Sequence, residues 1–216
     1  MIRKHLLIAF FLCVARSGLV IVLARKQTTD TAAWNAAVQS GSLREKARLR
    51  GSYTAVAQPK PMQRYDDATS IAKASNAIAV GTVESSQSQL LPPAEQFIVT
   101  DCQVRLTNVL KGDLQPDQII SLRSPGGFVQ FENGTFAEVK MPDFWKRPEL
   151  GKSYVFFLEK RHEGYFVLRG GPQGLFEITP DGLVKPQVRQ EDKLMQNYKD
   201  KDVLSFLTEI RQARAK

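Results

Sequence analysis

Residues 96–112, Gln-Phe-Ile-Val-Thr-Asp-Cys-Gln-Val-Arg-Leu-Thr-Asn-Val-Leu-Lys-Gly, constrain the chain more than any other stretch. Ile98, Cys102, Val104, Leu106 and Leu110 share one parity, with Thr100 and Asn108 as its polar exceptions, while Asp101, Gln103, Arg105 and Thr107 take the other. Alternation sustained over this length predicts one long, half-buried strand. It outruns the usual five or six residues, so it is expected to bend and serve two sheet layers. Lys111-Gly112-Asp113 ends it with turn residues.

The neighbouring segments read as its pairing partners. Residues 77–83 form a short strand with Ile78 and Val80 on one face and Gly81 marking a bulge or close backbone approach. Residues 84–95 read as a polar loop, and 118–123, 128–131 and 136–139 as further strands. Asn133-Gly134 between the last two predicts a type I′ hairpin. Tyr154–Leu158 is apolar nearly throughout, the pattern of a strand buried on both faces. Strands over 165–168, 174–178 and 183–184 follow. A short helix over 65–75, capped by Asp66 or Asp67, precedes this set. A terminal helix capped by Asp192 or Asp200 follows it, its apolar face built from Val203, Phe206, Leu207 and Ile210. The fold class is therefore mainly β, with five to seven strands in a barrel over 65–190 and a C-terminal helix over 191–216 packed on it.

Charge is distributed unevenly. The formal net charge is +8, yet residues 65–216 hold nineteen Lys and Arg against twenty Asp and Glu. The bases concentrate in 25–64, which is poor in large apolar residues and reads as a basic, flexible stalk. A nucleic-acid module gathers its bases on the folded face, so no nucleic-acid partner is expected. Residues 1–24 open with Arg3 and Lys4 and continue as an apolar run interrupted by Arg16-Ser17-Gly18. That pattern predicts an exported protein with a signal peptide, cleaved after Ala15 or Ala24, or a membrane anchor retained through residues 6–24. The expected location is periplasmic or extracellular, or tethered to the membrane.

Reactive groups are sparse. The cysteines are Cys13, in the leader, and Cys102, on the apolar parity of the long strand, where a small buried hydrophobe is the expected state. The histidines are His5, in the leader, and His162, in a charged turn. No histidine, cysteine and carboxylate set has metal-ligand spacing, and no serine sits in a nucleophile elbow. Ser124-Pro125-Gly126-Gly127 lacks the Gly-Lys-Ser/Thr ending of a phosphate loop and reads as a turn. Asp101 and Asp117 form no recognisable catalytic pair. The candidate binding residues are Phe144, Trp145, Lys146 and Arg147, aromatics beside bases on a loop, suited to an anionic or peptide ligand.

The order Ser75–Val83, Val109-Leu110-Lys111-Gly112, Ser124–Gly127, Leu150–Leu158, Gln173-Gly174-Leu175-Phe176 and Asp181-Gly182 resembles a group of uncharacterised bacterial exported domains. These look like the OB-type barrels of netrin modules and tissue inhibitors of metalloproteinases. The resemblance covers about residues 70–184 and implies a small OB-like antiparallel barrel. It does not carry over metalloproteinase inhibition, because no cysteine begins the mature chain under either cleavage and no disulfide framework exists. The expected function is a non-enzymatic binding or interaction module for an envelope or extracellular protein or peptide, without cofactor. The alternatives are a hydrolase-type enzyme assembled from distant carboxylates and a membrane-surface adaptor using the basic stalk.

Overall fold

The structure, a computed structural model, describes residues 31–60 and 62–214. The leader 1–24, with His5 and Cys13, lies outside the described residues. Among those described, no helix is long and apolar enough to cross a membrane. In chain order the elements are α1 (31–40), α2 (Leu43–Arg50), β1 (Ser52–Val56), α3 (Ala68–Ala74), β2 (Ala77–Leu90), β3 (Ile98–Lys111) and β4 (Ile119–Pro125). They continue with β5 (Gly127–Gln130), β6 (Phe136–Lys140), β7 (Ser153–Lys160), β8 (Phe166–Leu168), a 3-10 turn (Gly171–Gly174) and β9 (Leu175–Ile178). The chain closes with β10 (Leu183–Pro186), α4 (Lys193–Tyr198), β11 (Lys201–Asp202) and α5 (Val203–Arg214). The class is mainly β. Two compact units divide these elements: 31–53, 92–96 and 130–137 form the described part of the smaller, and Thr54–Leu91, Phe97–Val129 and the chain from Glu138 onward form the larger.

In the larger unit, Ile98–Lys111 of the expected 96–112 strand form β3, with Cys102, Val104 and Leu106 fully buried. Its antiparallel partner β2 runs from Ile78↔Lys111 to Leu90↔Ile98, with register shifts at Val80/Gly81 and Val83/Ser85. A Cβ at Gly81 would stand 2.6 Å from the Arg105 carbonyl oxygen and 2.8 Å from a Val104 methyl, so the glycine permits the close approach. The polar stretch 84–90, expected as loop, is the second half of β2. It buries no apolar face beyond Val83, and its backbone bonds to β3 hold it extended.

The sheet extends from this hairpin in both directions. β2 pairs with β7 over Ala77–Thr82, β7 with β9, β9 with β10 and β10 with β11. On the other side β3 pairs with β4 over Val99–Arg105. β4 meets β8 in parallel at Leu122↔Phe166, and β8 also pairs antiparallel with β7, from Leu158↔Leu168 to Lys160↔Phe166. Also within this unit, Thr54–Val56, Glu138–Lys140 and Gly127–Val129 belong to a three-stranded sheet in the order β1–β6–β5.

Strand parity divides the apolar residues of the larger unit into two clusters. One is lined by strands and gathers Ala79, Cys102, Val104, Leu122, Phe156 and Phe166. The other lies between the opposite face of β2, β7 and β9 and the helices α3, α4 and α5, and gathers Ile71, Ile78, Phe157, Phe176, Tyr198 and Phe206. The Asp67 carboxylate caps α3, accepting from Ser70 N at 2.7 Å. The hydrogen bond from the Thr69 hydroxyl, with burial opposing it, holds that carboxyl below its usual range. The single terminal helix expected over 191–216 is two helices. Asp192 caps α4, Asp200 takes a positive φ of 61°, and Asp202 accepts from Ser205 N at 2.9 Å to start α5.

The smaller unit replaces the expected flexible stalk over 31–53 with regular structure. Its bases meet aromatic rings and acids, Arg48 pairing with Glu45 at 2.9 Å. The Arg50 guanidinium sits 3.6 Å from the Trp34 ring centroid, Lys46 lies 5.3 Å from that of Tyr53, and Arg44 lies 4.7 Å from that of Phe131 while its Nε lies 2.8 and 2.9 Å from the two Glu95 carboxylate oxygens and its Nη2 2.7 Å from Oε1. The Ser42 hydroxyl caps α2 and left-handed Gly51 ends it. The Asn133-Gly134 turn is not type I′, because Gly134 alone in that turn has positive φ. Gly134 N donates to Phe131 O at 2.9 Å and Phe131 N to Thr135 O at 2.8 Å, a type I turn closed by a left-handed glycine.

Candidate functional site

Loop 141–150 begins with a tight turn in which Trp145 N donates to Pro142 O at 2.7 Å. The turn holds Phe144 and Trp145 half-buried and leaves Lys146 and Arg147 exposed. The Arg189 guanidinium lies 4.1 Å from the Phe144 ring centroid. Arg147 Nη1 donates to Thr100 Oγ1 at 2.8 Å. The Thr100 hydroxyl donates to Gly126 O at 2.7 Å, so Ser88 Oγ, 2.9 Å away, is the donor to Thr100. The polar exception on the β3 apolar parity therefore anchors the loop. A Cβ at Gly127 would come within 2.3 Å of Ser88 Oγ and 2.6 Å of Thr100 Oγ1, so only glycine fits beside this hydroxyl pair.

Trp145 is a wall shared by three concave regions. The first, about 220 Å³, includes Met62, Phe144, Gln173 and Arg189. The second, about 330 Å³, includes Tyr65, Arg123, Glu159, Arg161, Val167 and Arg169. The third is an open groove of about 640 Å³ with Ser86, Ser88, Phe128, Lys140, Arg147 and Leu150. The four expected binding residues thus divide: Phe144 faces the first, Trp145 all three, and Lys146 and Arg147 the third.

The second cavity carries the densest electrostatics. Arg123 donates through Nε and Nη2 to Asp101 at 2.7 and 2.8 Å and lies 4.1 Å from the Tyr165 ring centroid. The Arg123 guanidinium, against the penalty of burial, holds the Asp101 carboxyl below its usual range. Glu159 bridges two bases, reaching Arg161 Nη1 at 3.0 Å and Arg169 Nη1 at 2.9 Å. Two buried polar atoms in this lining, Tyr65 Oη and Arg169 Nε, have no hydrogen-bond partner among the described residues. Tyr65 is held in place by its backbone. The Gln173 carboxamide accepts from Tyr65 N at 3.0 Å and donates to Tyr65 O at 2.9 Å. Sequence reasoning missed Tyr65, Arg123, Glu159, Arg161 and Arg169 as a group. Strand parity could mark Arg123 as opposite Leu122, but only the pairing of β4 and β7 with β8 assembles the set.

The remaining candidate chemistry is scattered. Cys102 is fully buried, burial pushes its thiol up, and its Sγ donates to Ser86 Oγ at 3.6 Å. His162 is exposed in the turn after β7. Asp101 is committed to Arg123 and Gln89, and Asp117 is exposed with a φ of 65°. Among the described residues no group of three or more His, Cys, Asp or Glu is placed to hold a metal. Compared with known proteins, the chain matches no family model and no curated protein.

Proposed function

We propose that this chain is an exported, non-enzymatic binding module built on an OB-type barrel, with Trp145 at the centre of its recognition surface. The barrel reading is supported by the pairing sequence β7–β2–β3–β4–β8, which returns to β7 through β8, and by the brevity of the β4–β8 contact, which suits a partly open five-stranded barrel. The likeness to netrin and metalloproteinase-inhibitor modules concerns this barrel alone and gives no activity. Export rests on the basic-then-apolar pattern of residues 1–24.

The observation that carries the binding reading is the position of Trp145, one half-buried aromatic shared by three concavities and flanked by Arg and Lys. Such amphipathic anchors dominate recognition energetics. Among the described residues, the carboxylates whose pKa is displaced, Asp67, Asp101 and Asp202, all move down, the direction that hydrogen bonding and ion pairing give. A thermal-shift screen of the full chain against peptides and small metabolites tests this reading. A ligand that raises Tm by several degrees, an effect abolished in Trp145→Ala, supports it. Turnover of a generic hydrolase substrate that disappears in His162→Ala or Cys102→Ala overturns it.

A further inference from the structure

We infer that the 330 Å³ cavity behind Trp145 is a site for a single carboxylate carried on a compact apolar body. This rests on the binding-module reading above and names the ligand class of one of its concavities. Arg123, Arg161 and Arg169 line the cavity, and Glu159 is the only acidic residue of its wall among the described residues. Asp101 offsets Arg123 by a bidentate pair, and Glu159 is shared between Arg161 and Arg169. Three cations against these two anions leave one positive charge. A monoanion neutralises it, whereas a phosphate dianion overshoots and meets Glu159 at close range.

Hydrogen-bond inventory points the same way. Arg169 Nε and the hydroxyl of Tyr65, a residue only 7% exposed, are buried and unpartnered among the described residues. Both donate, a carboxylate accepts, and leaving buried donors unmade is costly. Tyr65 does not have to be ordered on binding. Gln173 holds its backbone N–H and C=O, and its ring packs over Gly170, where a Cβ would stand 3.0 Å from Tyr65 Cε2. The remaining wall is mostly apolar, with Trp145, Val167, Leu168, Met62 and Pro125, and Gln63 and Ser124 are its polar exceptions. At about 30 Å³ per water, the space suits a fragment of on the order of ten non-hydrogen atoms. Two sources share this chemistry: a free carboxylic acid, and the C-terminus of a peptide ending in an apolar residue.

Calorimetric titration of the full chain with phenylacetate and hexanoate, their primary amides, and the peptide Ala-Ala-Phe with a free or amidated C-terminus tests the assignment. Free acids are expected to bind at least about tenfold more tightly than the amides, a gap of about 1.4 kcal/mol. Preference for the small acids identifies a metabolite, and preference for the free peptide identifies a chain terminus. Arg169→Gln is expected to lower acid affinity about tenfold or more. Tyr65→Phe is expected to lower it about threefold to tenfold with Tm unchanged or raised, since it deletes an unpartnered hydroxyl. A residue serving structure alone would lower Tm and leave affinity intact. Equal binding of acids and amides, no binding of the acids at 10 mM (roughly the weak end of fragment affinity), or wild-type affinity in Tyr65→Phe overturns the proposal. If the acids fail while other ligands still bind in a Trp145-dependent way, the carboxylate assignment alone falls; if nothing binds, the binding-module reading falls with it.

Discussion

Phe156 and Phe157 are adjacent on β7, both fully buried, and belong to different interiors. Phe156 enters the strand-lined cluster, which is largely aliphatic and whose walls are tied to one another by backbone hydrogen bonds. Phe157 enters the helix-covered cluster, where its ring meets Phe176 at 5.4 Å and Phe206 at 6.4 Å, and Tyr198 joins Phe206 at 5.4 Å. The second cluster also has polar stitching. Tyr198 Oη accepts from Ala68 N at 3.3 Å and donates to Glu209 at 2.9 Å, and Glu209 pairs with Lys201. One interior is sealed by a ladder that cannot shift without breaking, the other by helices that can slide. The same residue type should therefore cost different amounts to remove from each.

The sharpest test is a pair of truncations. Phe156→Ala is expected to cost about 5 kcal/mol and Phe206→Ala about 3, the two ends of the range for buried Phe, because residual cavity sets the penalty and helices collapse into it more readily than strands. Urea unfolding of both variants measures the difference, and equal costs would erase the contrast. Next comes Gly81→Ala, whose Cβ would press on the Arg105 carbonyl and the Val104 and Leu106 side chains, all near the strand-lined interior. Overpacking of this kind should cost about 1–3 kcal/mol by the same measurement.

Smaller effects probe the polar stitching. Tyr198→Phe should cost about 1 kcal/mol at neutral pH. Burial, then Glu209, pushes the Tyr198 phenol up to about 12. The fold favours the neutral phenol, so its contribution is complete below the unfolded value of about 10 and is lost as pH rises through about 12. Stability of Tyr198→Phe should accordingly fall less over that alkaline window than that of the parent, as read from urea midpoints. The smallest effect concerns Cys102. In a Cys13→Ser background its thiol should react with a disulfide reagent only at the rate of global unfolding, and Cys102→Ala should cost about 1 kcal/mol. Rapid labelling of the folded protein would show that the strand-lined interior opens locally.

Legibility in the sequence followed the same division. The alternation at 98–110 placed Cys102, Val104 and Leu106 in the interior, and the unbroken apolar run of β7 announced burial on two faces. The polar second half of β2 was silent because side-chain parity reports burial, and a strand held by backbone bonds to one neighbour buries little. Within the expected stalk 25–64, residues 31–53 read as solvated because Arg44, Lys46 and Arg50 show no partner until Phe131, Tyr53 and Trp34 are brought beneath them. The loop carrying Phe144–Arg147 could be singled out by composition. The arginines around Tyr65 could not, since three separate segments supply them and only strand pairing makes them neighbours.

Gln173 grips residue 65 from 108 positions away, giving and taking one hydrogen bond. A lone carboxamide thereby imitates a rung of a β-ladder, and it does so with a group that has no isosteric substitute. Glutamate cannot donate, leucine can do neither, and asparagine is a methylene short. The register of the segment entering α3 thus hangs on the orientation of one amide. Any motion of α4 that tugs Asp192, which lies 3.2 Å from the same nitrogen, would be passed through that pin to the tyrosine beyond it.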